Sequence, residues 1–392
     1  GFWRKGYKGI YRANLFLEKI DEIEDASEAF RTRTKAEAKF LRAKFYFDLV
    51  RLFGNIPLID HTLGASEYYT VEQVGPDQIY PFIVSDLEAA IADLPSSVGS
   101  NQLGRVTKGA AQALLARVLL FENDASSMAQ VASLCESVIQ SGEYSLLSSF
   151  SDIWSAEGEW SSESVFEITY SENSASDWGS FGWGGGEGNV GVQFIGMRDY
   201  NGPTYATGWG FCPVSTELET AMDGDPRYGY TIIDADALPG AEYSPGYQNT
   251  GFWMRKYAPI ASNVAPDGDA ALNWGNNIRE IRYADVLLMA AEGIVRSGGS
   301  EGTARTYLNQ VRSRVGLAAL TSTGNQLLED IYTERRMELA TEGHRFFDLL
   351  RTGKATEVLG DQGFVASTHT YLPIPQQELD AAPDVLTQNP GY

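Results

Sequence analysis

The sequence predicts a mostly α-helical protein with a loop-rich, partly β region inserted between two helical stretches. Three observations carry this. The flanks are rich in Ala, Leu, Glu and Arg, all good helix formers, and their apolar residues recur at helical spacing. Seven of the eight tryptophans, and nearly half of the 40 glycines, fall between about residues 151 and 276. The flanking segments read as helix, short turn, helix at intervals near roughly 35–40 residues, the period of tetratricopeptide-like repeats. Each such pair hides one face against the next, so the pairs are expected to form a curved scaffold. The expected division is 1–150, an N-terminal helical part; 151–276, an irregular Trp/Gly-rich region that holds ligand; and 277–392, a C-terminal helical part. The two helical parts are expected to form one compact domain.

The elements follow in order. A first helix is expected over 7–20. The opening, GFWRKGYKGIYRANLFLEKI, lacks the compact apolar core and small-residue cleavage site of a signal peptide. It reads as a helix already under way, which suggests an upstream segment. Thr34 and Glu37 have the spacing of a capping box for the next helix, on which Ala38, Leu41, Phe45, Leu49 and Leu52 mark one apolar face. Gly54 and the Asn55-Ile56-Pro57 turn end it. A further helix runs through DQIYPFIVSDLEAAIADL to Pro95. VTKGAAQALLARVLLFEN then pairs with SSMAQVASLCESVIQSG, with Gly109, Ala113 and Ala116 leaving room for a close neighbour. In the central region SVFEITYS (164–171) and YTIID (230–234) read as strands, among Gly-, Pro- and Asn-punctuated loops. The last stretch gives RYADVLLMAAEGIVRSG with TARTYLNQVRSRVG, then LLEDIYTERRMELATEG with HRFFDLLRTG.

Composition narrows the function. The 392 residues are 43% hydrophobic and 21% charged, as in a globular protein with a real core. The net charge of −22 argues against a nucleic-acid surface, which needs a basic footprint, and against a polyanionic ligand. No apolar run reaches the length of a membrane span. The two cysteines, Cys135 and Cys212, and the three histidines, His61, His344 and His369, form no ligand-spaced cluster, so neither a zinc site nor a cofactor is expected.

Several motifs have a chemical and a plainer reading. GWGGGEGNVG contains a literal G-x-G-x-x-G at Gly186, Gly188 and Gly191. A dinucleotide fingerprint needs a buried strand before it and a βαβ setting, and both are missing here. The glycines are instead expected to turn the backbone tightly around Trp178, Phe181 and Trp183. Glu334, Glu338 and Glu342 recur every fourth residue in ERRMELATEGHR. Stacked carboxylates are better read as partners for arginines, with Arg335, Arg336, Arg345, Arg351, Arg279 and Arg282 at hand, than as a catalytic pair. Asp223/Asp225, Asp234/Asp236 and Asp267/Asp269 do not extend into a calcium-loop pattern and read as turn formers. The tryptophans carry the sharper signal. Trp154 and Trp160 read as core. Trp178, Trp183, Trp209, Trp253 and Trp274 sit among Gly and Asn, where exposed indole faces would match the C–H face of a sugar ring. Tyr68 and Tyr69 are similar candidates, and Asn273, Asn276 and Asn277 are placed to meet hydroxyl groups.

Together, EAKFLRAKFYFDLVRLFGNIPLI, DGDPRYGYTI, IREIRYADVLLMAAEG, LNQVRSRVGL, IYTERRMELATEGHRFFDLLRTGKA and the closing YLPIPQQELDAAPDVLTQNPGY resemble the SusD/RagB family of outer-membrane nutrient-binding lipoproteins of Bacteroidetes. The pieces occur in that family's order and span nearly the whole chain. The resemblance implies four tetratricopeptide-like helix pairs carrying a loop-rich region. It also implies a place on the outer face of the outer membrane, a lipid anchor on an upstream segment, and a TonB-dependent transporter as partner. Family ligand contacts near the start of the chain bring in Trp3, whose helical context favours packing. The expected function is non-enzymatic capture of an oligosaccharide or polysaccharide. The rivals are a peptide or other nutrient, which would need a deep closed pocket; a helical glycoside hydrolase, which would need a carboxylate pair beside the sugar; and a bare interaction scaffold.

Overall fold

The structure is a computed structural model that describes residues 1–181 and 186–392, the side chains of Ser180 and Phe181 excepted. The first helical stretch folds as α1 (Phe2–Lys19), α2 (Glu28–Phe53), α3 (Pro76–Asp93), α4 (Lys108–Glu122) and α5 (Met128–Gln140), each packed on the next. α2 begins about two turns earlier than the Thr34/Glu37 box places it. Ser27 is its cap, with the side chain accepting from the Phe30 N–H. Thr34 lies inside the helix and its hydroxyl donates to the Phe30 carbonyl at 2.7 Å, while Glu37 receives Arg33 and Arg105. The helix stops at Gly54, whose φ of 70° suits a residue without a side chain.

The single apolar face expected on α2 is also corrected. Phe40, Ala43, Tyr46, Phe47, Leu49 and Val50 are all buried, whereas Leu41 points outward. A helix with α1 and α3 both packed on it buries more than one stripe. Arg42 reaches from α2 to both oxygens of Asp86 on α3, at 2.7 and 2.8 Å, and to the Asn14 amide oxygen on α1, at 2.7 Å. Asn14 in turn donates to the Ile59 and His61 carbonyls. This buried charge is paired and bonded, the condition under which burial is tolerated.

Two units can be separated. The first comprises Gly1–Glu143, Glu292–Gly299 and Arg345–Tyr392; the second comprises Tyr144–Ala291 and Ser300–His344. The helix Tyr283–Arg296 begins in the second and ends in the first. In the first unit Arg351 holds Glu292 through two parallel bonds of 2.6 and 2.8 Å, and Asn389 pins the chain end to the Phe53 and Leu372 carbonyls.

In the second unit, strand Ser164–Ile168 pairs antiparallel with Ile278–Arg282, and Ile232–Asp234 pairs antiparallel with Phe252–Met254. The helices Glu301–Arg314 and Gly324–Glu338 belong to this unit, so the C-terminal helical stretch is divided rather than joined whole to the N-terminal one. The reason is a buried cluster of charges. Glu334 takes Arg227 and Arg312, Glu338 takes Arg227, Arg282 and Arg314, and Glu342 takes Lys256 and Arg282. Glu163 adds further contacts to Arg282 and Arg314. Of the arginines the sequence offers as partners, Arg282 meets two of these glutamates, while Arg335 pairs with Asp285 and Arg351 with Glu292. Burial alone would raise the Glu338 carboxyl, but Arg314, Arg282 and Arg227 reverse this and hold it far below the usual carboxylate range. Burial lowers Lys256 to about 8, against the pull of Glu342.

Candidate functional site

An exposed group of aromatic rings lies in the second unit. It is built where the chain 208–211 runs beside the short helix Val190–Ile195 and the residues that follow it. The N–H groups of Trp209, Gly210 and Phe211 donate to the carbonyls of Gln193, Gly196 and Phe194 at 2.8, 2.9 and 2.9 Å. The approach is so close that a Cβ on Gly208 would stand 2.4 Å from the Gly196 backbone. Glycine is therefore required at 208 for contact rather than for flexibility. With the two backbones pressed together, Phe194, Trp209 and Phe211 gather into one patch, with centroids 5.1 Å apart for Phe194–Trp209 and 5.8 Å for Trp209–Phe211.

Trp178 extends the patch. Its ring is stacked on Trp209 at 6.0 Å with the planes inclined by 25°, and its indole N–H donates to Asp269 at 2.9 Å. Trp178, Phe194 and Phe211 are 56%, 40% and 66% exposed, and Trp209 is half-buried between them. Large apolar rings held in water by hydrogen-bonded backbone are the surface a ligand with an apolar face would cover. The loop carrying the exposed Tyr247 comes against the same strip, because a Cβ on Gly246 would lie 3.4 Å from the Gly210 carbonyl.

Four residues of the expected constellation are buried instead. Trp253 and Trp274 are core residues, each 1% exposed, and do not belong to a platform. Trp253 stands in a strand opposite Ile233 and packs among Met197, Tyr200, Tyr205 and Ala258. Trp274 donates its indole N–H to Gln193. Asn273 and Asn277 are buried and spent on the protein itself. Asn273 accepts from the Ser174 hydroxyl and the Ser176 N–H and donates to the Ser176 and Asp269 carbonyls; Asn277 accepts from Tyr170 N–H and donates to Glu167. An amide among small loop residues is a lock for the loop as readily as a ligand contact, and here it is the lock. Asn276 alone of the three is part-exposed. Trp183 lies outside the described residues.

Tyr68 and Tyr69 are exposed, as expected of ligand contacts, but they belong to the first unit. They line a groove of about 520 Å³ with Trp3, Tyr7 and Tyr11 among its walls. Trp3 itself is buried against Tyr7 and Phe53. Phe194, Phe211 and Tyr247 escape a reading of the sequence that weighs tryptophan first. Their signal is an aromatic side chain close to Gly.

The described glycines of the Gly-rich motif sit against the protein itself. Gly188 is pressed on the Leu272 carbonyl, which a Cβ would approach to 2.0 Å. Asn189 caps the six-residue helix that follows by accepting from Gly191 N–H, and it donates to the Asn276 carbonyl. Among the described residues, no three His, Cys, Asp or Glu side chains gather as a metal site. Asp225 receives Arg227 and Asp234 the N–H groups of Asp236 and Ala237, while Asp269 takes both the nearby Ala271 N–H and the distant Trp178 indole.

Comparison with known proteins agrees with this architecture. The SusD family matches residues 230–364, and a family described as starch-binding and associating with the outer membrane matches residues 1–120. A solved structure described as a laminarin-binding SusD-like protein is 40% identical, covers 100% of this chain and 85% of its own, and superposes with a TM-score of 0.92. Surface glycan-binding protein A from Bacteroides thetaiotaomicron, solved with laminarihexaose, is 36% identical over 99% of this chain and 85% of its own, with a TM-score of 0.90. SusD-like protein P25 from Formosa agariphila is 28% identical over 100% of this chain and 79% of its own. With family matches at both ends and close structural relatives along its whole length, this chain belongs to the SusD family.

Proposed function

We propose that the protein is a non-enzymatic glycan-binding protein that holds an oligosaccharide or polysaccharide on the aromatic patch of Trp178, Trp209, Phe194 and Phe211. The observation that carries this is the stacked, solvent-facing Trp178–Trp209 pair. Indole faces cover the apolar side of sugar rings, and the surrounding polar groups select among hydroxyl patterns. A neutral glycan also suits a protein with a net charge of −22. The relatives' ligands, laminarin and laminarihexaose, make a laminarin-type glucan the first to test. Tyr68, Tyr69 and Trp183 remain candidates for further contacts. The protein acts at the outer membrane, on its extracellular face, anchored by lipid on an upstream segment, and hands the glycan to a TonB-dependent transporter.

The test is retardation in native gels containing laminarin or other purified polysaccharides, with the wild type beside Trp178→Ala and Trp209→Ala and with reducing ends assayed in every sample. Retention of the wild type that both substitutions weaken, without released sugar, supports the reading. Equal retention of all three proteins would remove the patch from the site, and new reducing ends would end the non-enzyme claim.

A further inference from the structure

A second recess in the same unit is built differently from the patch. The antiparallel register sets Ile168 opposite Ile278. The residues just beyond the first strand and just before the second, Glu172 and Gly275–Asn276, therefore emerge at one end of the strand pair. With Trp154, Glu159 and Arg279 they line a cavity of about 410 Å³, closed on another side by Ser262–Pro266.

The polar groups in this wall are only partly used by the protein. One Glu159 oxygen accepts the Asn277 N–H at 2.8 Å, and Arg279 stands 3.5 Å from the same oxygen. The other Glu159 oxygen, the Glu172 carboxylate and the Asn276 side-chain amide have no hydrogen bond among the described residues. The Nε of Arg279, on a side chain that is 97% buried, has no hydrogen bond either, and it stands 3.7 Å from the buried Glu167 carboxylate. Burial pushes the Glu159 carboxyl up, against the Asn277 and Arg279 contacts. Glu172 is held close to the strand end, because a Cβ on Gly275 would fall 2.1 Å from its Oε2. Acceptors, an amide donor and an indole thus converge on a space of ligand-pocket size, and the protein leaves these polar groups free for a partner.

From this convergence we infer that the recess is a second carbohydrate site, separate from the aromatic patch, which encloses a single neutral sugar ring at a chain end or branch. Glu159 and Glu172 accept hydroxyl hydrogens, Asn276 donates to a ring or hydroxyl oxygen, and Trp154 supplies apolar wall. Two carboxylates against one arginine disfavour an anionic ligand. A recess encloses one ring where a flat patch supports several in a row, so the two sites are expected to read different parts of a glycan. The recess adds a site to the proposed function and does not need the patch to be correct.

The test uses saturation-transfer NMR with methyl β-glucoside, methyl β-galactoside and methyl α-mannoside, and with glucosamine as a cationic control. Transfer from at least one methyl hexoside is expected to wild type and to the Trp178→Ala/Trp209→Ala double variant. It is expected to fall at least fivefold in Asn276→Ala and in Gly275→Ala, whose new methyl displaces Glu172. Glu172→Gln, at an exposed position, serves as the variant least able to disturb folding. No transfer from any methyl hexoside, transfer lost in the patch variant but kept in all three recess variants, or a tenfold preference for glucosamine would each overturn the inference. Loss of polysaccharide retention in the patch variant alongside kept hexoside transfer separates the two sites. Retention unaffected by the patch variant would instead fault the patch and leave the recess standing.

Discussion

Arg282 and Glu338, 56 residues apart in sequence, meet at 2.9 Å with both side chains closed off from solvent. Arg227 and Arg314 reach the same carboxylate. Removing one partner from such a cluster leaves the others buried and uncompensated, which costs about 3–5 kcal/mol. Glu338→Ala is therefore expected to lose stability on that scale in urea unfolding followed by circular dichroism. A loss under about 1 kcal/mol would mean the cluster is solvated or readily rearranged.

The same group sets a pH dependence. The folded-state pKa of Glu338 lies well below its unfolded value, so its contribution is present above the unfolded value, near about 4.3, and drains away as the pH falls further. Glu342, lowered by Arg282 and Lys256 against burial, acts in the same direction. Unfolding free energies measured from pH 7 down to pH 3 are expected to hold steady and then drop below about pH 4.5. Glu338→Gln should flatten that drop, and a parallel curve for the variant would assign acid sensitivity to other carboxylates.

The tryptophans should separate into two classes. Trp253→Ala removes a buried ring from a packed cluster and is expected to cost about 3–5 kcal/mol of stability. Trp209→Ala and Trp178→Ala act at the surface and should change stability far less while weakening polysaccharide binding about tenfold, near 1.4 kcal/mol. Calorimetric titration and thermal unfolding of each variant check both halves. Binding lost through Trp253→Ala in a protein that is still fully folded would contradict the assignment.

Stacking on a neutral sugar involves no charge on the ligand. Affinity should therefore vary less than twofold as ionic strength rises from about 0.05 to 0.5 M, over which screening of exposed charges is nearly complete. A steep loss with salt would indicate an anionic glycan held by exposed cations and would contradict capture of a neutral one.

Gly208→Ala tests how the patch is built. Its Cβ meets the backbone of Gly196, not a flexible side-chain end. The two segments must part, and Trp209 and Phe211 with them. Loss of stability together with weakened glycan retention is expected; unchanged retention would show that the patch tolerates separation of these segments.

Much of this is legible in the sequence. The paired helices, the strands within 164–171 and 230–234 (but not their partners Phe252–Met254 and Ile278–Arg282) and the Trp-rich interruption follow from period and composition, and the Glu334–Glu338–Glu342 run is readable as a structural ion-pair face. Which tryptophans meet solvent is not. Trp209 and Trp253 both sit close to glycine, yet Trp253 enters a strand opposite Ile233 and Trp209 follows a glycine pressed on another loop. That difference is set by residues far away in the chain. The α2 start is ambiguous for a local reason: Ser27 and Thr34 are both competent caps, and the hydroxyl of Thr34 is satisfied inside the helix by the Phe30 carbonyl. Asn273 and Asn277 mislead because an amide that locks a loop and one that meets a sugar have the same sequence setting.

The charge cluster also dictates an order of events. Arg227, Lys256 and Arg282 leave the ribosome before Glu334, Glu338 and Glu342 exist. Until those glutamates arrive, packing the central region would bury Lys256 without its carboxylate and leave Arg227 and Arg282 with only Asp225 and Glu163, so that region has to wait, open, for the C-terminal helices. The sequence separation of these partners makes the second unit the slow one to close, by the same loop-closure entropy that slows other folds with distant contacts. A chain ending at residue 299 should therefore keep the secondary structure of α1 to α5 while its tryptophan-rich segment stays accessible to protease. The unit that carries the aromatic patch becomes able to bind only once nearly the whole chain has been made.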